Sequence, residues 1–335
     1  MNIPAPQITA LFVRNVILPC LSLPGISHDR WSVLGLKVKS RQCSIFKASH
    51  PSLAHPVAIK IYAPDQVKPI GASYQYEALC LFYDKMAGEP TLRVPKPLGF
   101  IPEYGAIAME WIDSPRLRSV LLLNAFNRSR RLELISKAGQ WIRHFHEVSG
   151  ISCERVALTP YVATVERLSQ RSQEARFLAR NDSVFKLATE SLQRGSRALD
   201  NRRLPHAAAH ADFTPANLHY GGGRMFGIDI WANRRAPVLE DYCRMSSYLA
   251  LDHSGLILSK QRSLSGLSRS NFDAFFSNAL AGFEIDPDLI AYFSLFELLR
   301  RYITAFEWSC RSKISWQTVR KIRAKALVQS LSAQF

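Results

Sequence analysis

Apolar and polar positions first fall into a regular pattern at Trp31. From there to Tyr62 the runs WSVLGLKV, CSIFKAS and VAIKIY are rich in β-branched and aromatic residues, and HPSLAHP separates the second from the third. Short runs of this kind, broken by turn-forming residues, predict strands. The period then changes. In SYQYEALCLFYDKMAG, Tyr76, Leu79, Phe82 and Met86 recur at helical spacing, and Gly88 and Pro90 end the run. PKPLGF and YGAIAMEWI predict two more strands joined by a proline-containing turn. Residues 31–112 therefore predict a small sheet with one helix.

Beyond residue 112 the composition shifts at DSPRL. Residues 131–147 predict a helix with Leu134, Ala138, Trp141 and Phe145 on one face. In HADFTPANLHYGGGRMFGIDI, the runs LHY and MFGIDI flank GGGR, a hairpin signal. From about Leu239 onward the pattern is mostly helical, including LIAYFSLFELLRRYITAFEW. The expected organisation is an extension over residues 1–30, a β-rich domain over 31–112 and a larger helical domain over 113–335, an α+β chain. In the extension, ITALFVRNVILPCLSLPG is interrupted by Arg14 and two prolines and follows no charged stretch. It is expected to be a packing or surface-docking segment rather than a signal. No run is long and apolar enough to span a bilayer, so a cytoplasmic location is expected, with possible peripheral contact at the inner membrane face.

Charge adds a preference for partners. The chain has 335 residues with 43 Lys and Arg against 27 Asp and Glu, a net charge of +16. Residues 113–335 hold 32 basic and 20 acidic residues, so most of the surplus, +12, lies there. Such a surplus favours anionic partners. Two basic tracts, residues 116–143 and 300–325, carry seven and eight basic residues with one Glu each. They are read as solvated helix faces, an acceptor site for an anion, or a contact with an anionic membrane surface. No nucleic-acid-binding motif accompanies them, and nucleic acid is not an expected partner. The six cysteines are scattered without a C-x-x-C pair, which excludes a zinc pattern and a dense disulfide scaffold and fits a reducing compartment.

The candidate chemistry is acidic. Asp212 and Asn217 lie five residues apart on a segment that Pro215 keeps from being helical, and Asp229 ends the hairpin. Two carboxylates and a carboxamide supply the oxygen ligands that Mg²⁺ prefers, and such an ion is usually shared with substrate phosphates. Asp212 is placed to orient a hydroxyl nucleophile or accept its proton. Lys60, between Ile59 and Ile61, is the candidate phosphate cation, and Glu77 on the next helix is available to hold it. Phosphoryl transfer needs this kit: positioning and electrostatic stabilisation, with little covalent chemistry. His206, His144 and His146 read as satisfied surface or core histidines, and Trp111 and Trp231 as packing residues.

The motifs VAIKIY, YEALCLF, PKPLGFIPEYGAIAMEWI, HADFTPANL and GIDIW, in this order, resemble those of the aminoglycoside phosphotransferase and choline kinase superfamily of protein-kinase-like small-molecule phosphotransferases. The specific part is H-x-D-x-x-x-x-N followed twelve residues later by Asp229. The resemblance covers roughly residues 31–245. It implies a bilobal protein-kinase-like fold, with a small β-rich N-lobe and a larger, mainly helical C-lobe. It implies ATP and Mg²⁺ as cofactors and a small-molecule hydroxyl acceptor. By the same resemblance, Lys60 holds the nucleotide α- and β-phosphates with Glu77 as its ion-pair partner. Met109 backs the adenine pocket, and the backbone of Glu110 and Ile112 bonds the adenine edge. Asp212 is the catalytic base or hydroxyl-orienting group, and Asn217 and Asp229 bind Mg²⁺. His210 braces the catalytic loop, and Asp241 in VLEDYCRM has a structural role. The loop KVKSRQCSIF contains no glycine where family members often carry one. Its small residues are Ser40 and Ser44, and Lys39 and Arg41 add charge, read either as ordinary solvated side chains or as phosphate contacts.

The sequence thus points to a kinase for a small hydroxylated molecule, neutral or anionic, because a basic acceptor domain repels polycations. The glycine-free loop motivates a second reading, a nucleotide-binding regulatory pseudokinase. A third is a basic kinase-like protein acting at an anionic membrane surface.

Overall fold

The computed structural model describes residues 8–21, 23–27, 30–39, 43–62, 69–251, 269–311 and 315–332. The chain divides into two compact units. The first comprises Met1–Pro115 and His219–Asn233, the second Arg116–Leu218 and Arg234–Phe335. The chain thus leaves the first unit at Pro115 and returns to it over the hairpin.

In the first unit, five strands form an antiparallel sheet: β1 (Ser32–Lys39), β2 (Cys43–Ser49), β3 (Val57–Tyr62), β5 (Pro97–Ile101) and β6 (Ala106–Glu110), in the order β1-β2-β3-β6-β5. Helix α1 (Pro69–Lys85) follows β3. Every residue of β3 is buried, as expected of a central strand covered on both faces. Val57, Ile59 and Ile61 join Phe46, Ala48, Ala106 and Ala108 in a cluster closed by Val13, Ile17, Leu18 and Leu21. The N-terminal segment is therefore a packing element; it winds through Ala10–Phe12, Val13–Ile17 and Leu18–Cys20 as successive helical turns. The alternate residue Tyr62 joins Ala72 of α1 and Ile107 on the other face.

A second, three-stranded sheet pairs β4 (Leu92–Arg93) with β10 (Arg224–Gly227) and β9 (Leu218–Gly221), in the order β4-β10-β9. The β9–β10 turn needs left-handed backbone at both central positions. Gly222 and Gly223 supply it, with φ of 57° and 75°.

The second unit is mainly helical. Helix α2 (Leu117–Leu123) leads into α3 (Arg128–Val148), whose Leu134, Ala138, Trp141 and Phe145 are all fully buried. Three helices that the hydrophobic pattern alone does not single out follow: α4 (Thr159–Gln170), α5 (Gln173–Asn181) and α6 (Ser183–Leu199). Side-chain caps start two of them, Ser172 accepting from Ala175 N and Asp182 from Phe185 N. A small sheet of β7 (Ser152–Arg155), β8 (Arg203–Ala208) and β11 (Arg235–Pro237) precedes α7 (Leu239–Leu251). The chain continues through α8 (Arg269–Ala279), α9 (Pro287–Arg311) and α10 (Ser315–Ser332). Among the described residues no helix is long and apolar enough to cross a membrane.

Gly139 lets α3 and α8 approach at backbone distance. A Cβ there would stand 2.5 Å from the carbonyl oxygen of Phe275. Alanine is the better helix former by about 1 kcal/mol, yet here the added methyl has no room. The Gly139→Ala variant is expected to lose about 1–3 kcal/mol of stability, read as a lower midpoint in chemical denaturation.

Candidate active site

Lys60 stands in the middle of β3, opposite Ile45 on β2 and Ile107 on β6. It shares a sheet face with Tyr62, two residues on. The residue is 4% exposed. Its Nζ donates to Gln75 Oε1 at 2.8 Å and to Asp229 Oδ1 at 2.5 Å. The Tyr62 hydroxyl donates to the same Gln75 oxygen, and the ammonium lies 4.8 Å from the Tyr62 ring centre. Burial alone pushes the ammonium pKa down; the Asp229 carboxylate and the Tyr62 hydroxyl together outweigh it and hold Lys60 above the usual lysine range. Burial pushes the Tyr62 phenol up to about 12, so it stays a neutral donor.

Glu77, the expected partner of Lys60, is not the one the structure shows. It is exposed and accepts from Ser73 Oγ at 2.7 Å. Gln75 lies two positions earlier, about 200° away around the helix. The buried stripe of α1 runs Gln75, Leu79, Phe82 and Met86, each at most 5% exposed. A single polar residue in phase with that stripe is the signal that marks Gln75 in the sequence.

Asp229 follows the hairpin with φ at 58°, a left-handed conformation that Asp tolerates better than most residues. Its side chain is 32% exposed, so the carboxylate that pairs with Lys60 also reaches solvent. Met109 packs beside Tyr62 and Ile107. The N–H of Glu110 donates to Lys96 O at 2.9 Å, so it is not free for a base. Ile112 donates no backbone hydrogen bond among the described residues. Ser40 and Arg41 lie outside the described residues. A cavity of about 520 Å³ opens near the Glu110 side chain, lined by Pro56, Tyr83, Arg93, Lys96 and Arg224 among others; Lys60, Gln75 and Asp229 are not part of its wall.

In the second unit the segment from His210 to Asn217 is held from several sides. Arg118 N donates to Pro215 O at 2.9 Å and Asn217 N to Thr214 O at 3.0 Å. The Asn217 amide nitrogen donates to Asp212 twice, to its backbone oxygen at 2.9 Å and to Oδ2 at 2.8 Å. Both amide hydrogens are thereby used, which fixes the orientation of the amide and leaves its oxygen as the acceptor atom. Asp212 itself is exposed.

Asp241, 2% exposed, accepts from the backbone N–H of His210 at 2.8 Å and of Ala211 at 3.1 Å. Ala211 is left-handed, with φ at 69°, and these bonds restrain it there. His146 Nε2 lies 3.2 Å from the same carboxylate, and its Nδ1 lies 3.2 Å from the Tyr242 hydroxyl. Burial alone would raise the Asp241 pKa, but His146, His210 and Arg244 bring it below the usual carboxylate value. His210 is fully buried among Trp141, Phe145 and Phe213, with ring centres 5.6–5.8 Å away. His146 is indeed a satisfied core histidine, and it also orients the carboxylate that holds this loop. No motif in the sequence marks it.

Known proteins resemble this chain in sequence and in fold. Residues 68–228 match the model of the phosphotransferase enzyme family. That match spans 161 of the 335 residues. A choline/ethanolamine kinase family protein from Mesorhizobium loti shares its fold with a TM-score of 0.58 at 12% identity, over 97% of this chain and 96% of that one. An amicoumacin kinase, solved with AMP-PNP, Ca²⁺ and Ami, gives 0.58 at 10% identity over 91% and 89%. A glucosamine kinase, solved with glucosamine, ADP and inorganic phosphate, gives 0.55 at 14% identity over 88% and 80%. No curated protein sequence matches. At these identities the structural neighbours establish the α+β, protein-kinase-like fold.

The depressed pKa of Asp241 has a stability consequence. A carboxylate more acidic in the folded chain stabilises it above the unfolded value, and that contribution is lost as pH falls through the folded value. The Asp241→Asn variant is expected to lose about 3 kcal/mol near neutral pH. The gap to the native protein should close as pH drops below about 4, followed by denaturant titration at each pH.

Proposed function

We propose that the protein is an ATP- and Mg²⁺-dependent phosphotransferase that transfers a phosphoryl group to a hydroxyl of a small neutral or anionic molecule. The observation that carries this reading is the buried Lys60, held by neutral Gln75 and paired with a half-exposed Asp229. Because Gln75 brings no charge, Lys60 keeps a full positive charge for a phosphate oxygen once Asp229 turns to a cation. Asp229 and Asn217 offer the oxygen donors that a hard cation takes. Bound there, Mg²⁺ supplies neutralisation of phosphate charge.

Asp212 orients the acceptor hydroxyl and receives its proton. Met109 backs the adenine, and Glu110 and Ile112 line its edge, Ile112 through a free N–H. By the family resemblance, Ser40 and Arg41 belong to the phosphate-contacting loop. Asp241 and His210 keep the Asp212 backbone in place. These roles follow the family's pattern. The nucleotide and divalent ion in the amicoumacin kinase structure, and the ADP in that of glucosamine kinase, support the cofactor assignment. The +12 surplus beyond residue 112 supports a neutral or anionic acceptor over a polycation.

Two measurements test the reading. ATP with Mg²⁺ should raise the melting temperature of the native protein, and EDTA or the Asp229→Asn substitution should remove the rise. Formation of ADP with a panel of neutral, anionic and cationic acceptors then decides turnover. ATP binding without ADP from any acceptor would assign a regulatory pseudokinase instead. The second compares the two α1 residues. Gln75→Ala should lower kcat/KM for ATP on the order of tenfold, while Glu77→Ala should leave it within about twofold. The opposite order would restore Glu77 as the holder of Lys60.

A further inference from the structure

Helix α2 points two leucines into the second unit, Leu117 and Leu121, at 0% and 3% exposed. Its last turn and the following loop do the reverse. Leu122 is 57% exposed, Leu123 84% and Phe126 85%. Single exposed apolar side chains are ordinary on a protein surface. Three large ones within five positions form a contiguous apolar tip, and such patches mark contact sites.

The rim of this tip is cationic. Arg118 lies four positions before Leu122, on the same helix face. Arg116 precedes it, and Arg128 follows the loop. All three are exposed, and none makes an ion pair or a side-chain hydrogen bond among the described residues. Glu133 is the one acidic residue between positions 114 and 146, and it is taken by Arg130 at 2.7 Å. Asn127 closes the loop by accepting from Arg130 N at 3.0 Å, which starts α3 directly behind the tip.

We propose that this tip docks on an anionic lipid bilayer. Leu122, Leu123 and Phe126 enter the boundary between headgroups and acyl chains, and Arg116, Arg118 and Arg128 meet the lipid phosphates. Charge complementarity selects this occupant. Apolar side chains ringed by unpaired arginines match a surface that is apolar inside and anionic outside. A second copy of the chain would set arginines against arginines across a two-fold axis. With no helix able to cross a membrane among the described residues, this contact is interfacial. The proposal does not depend on the phosphotransferase reading, and its test involves no turnover.

The test is co-sedimentation of the full chain with vesicles of phosphatidylcholine alone, or with about a quarter phosphatidylglycerol. The native protein should partition to the anionic vesicles and leave them as salt rises. The double variant Leu123→Ser, Phe126→Ser should bind at least on the order of tenfold more weakly, with an unchanged melting temperature. Replacing Arg116, Arg118 or Arg128 by Gln should cost on the order of fivefold each. Trp placed by Phe126→Trp should shift its emission to the blue on anionic vesicles. Native protein that stays in the supernatant overturns the proposal. So does vesicle binding unaffected by the double variant, which would be charge alone. So does a native dimer, seen by sedimentation equilibrium, that the double variant dissociates; the tip would then be an interface between copies.

Discussion

The ammonium of Lys60, in the middle of a fully buried strand, is the constraint on which the first unit is organised. Left unpaired, a buried charge costs several kcal/mol. The structure meets that cost with partners from two other segments, Gln75 on α1 and Asp229 after the hairpin, 15 and 169 residues away in sequence. The pairing accounts for the return of residues 219–233 to a unit that the chain left at Pro115. It also prepares the chemistry. On the proposed reading, this ion pair between a buried cation and a partly exposed carboxylate is the one that phosphate oxygens and a metal ion would replace.

The second unit meets a similar problem with the opposite charge. Asp241 is a buried carboxylate, and its bonds go to two backbone N–H groups and a histidine rather than to an arginine. What it holds is main chain: the left-handed step at Ala211 that precedes Asp212. Around it, His210 fills an aromatic pocket made by Trp141, Phe145 and Phe213. A rigid loop base with an exposed Asp212 is what an orienting carboxylate requires, because a misplacement of about 1 Å is costly in rate.

The basic surplus takes on a more specific form in three dimensions. Much of it is engaged: Arg244, Arg300 and Arg301 surround the buried Glu297, and Arg171 is bonded to Glu307. The arginines beside Leu122, Leu123 and Phe126 are different, having no acidic partner among the described residues. Net charge alone does not separate these two populations, since it counts residues and not their neighbours.

The sequence by itself determined the element types of the first unit, the buried face of α3, the hairpin and the resemblance to a phosphotransferase family. Periodicity and motif order are properties of the linear chain, so Lys60, Asp212, Asn217 and Asp229 could be singled out as candidates without coordinates. Tertiary structure decided who holds what. Glu77 carries the charge a sequence argument looks for, but it is out of phase with the buried stripe of α1, and a neutral glutamine in phase takes its place. His146 becomes a brace because folding brings α3 beside α7, 95 residues further on. The exposure of Leu122 and Leu123 beside buried Leu117 and Leu121 was equally hidden, since LRSVLLL reads as uniformly apolar at its end. Contacts over such separations, and the outward face of a short helix, are set by packing between segments and leave no local period to read.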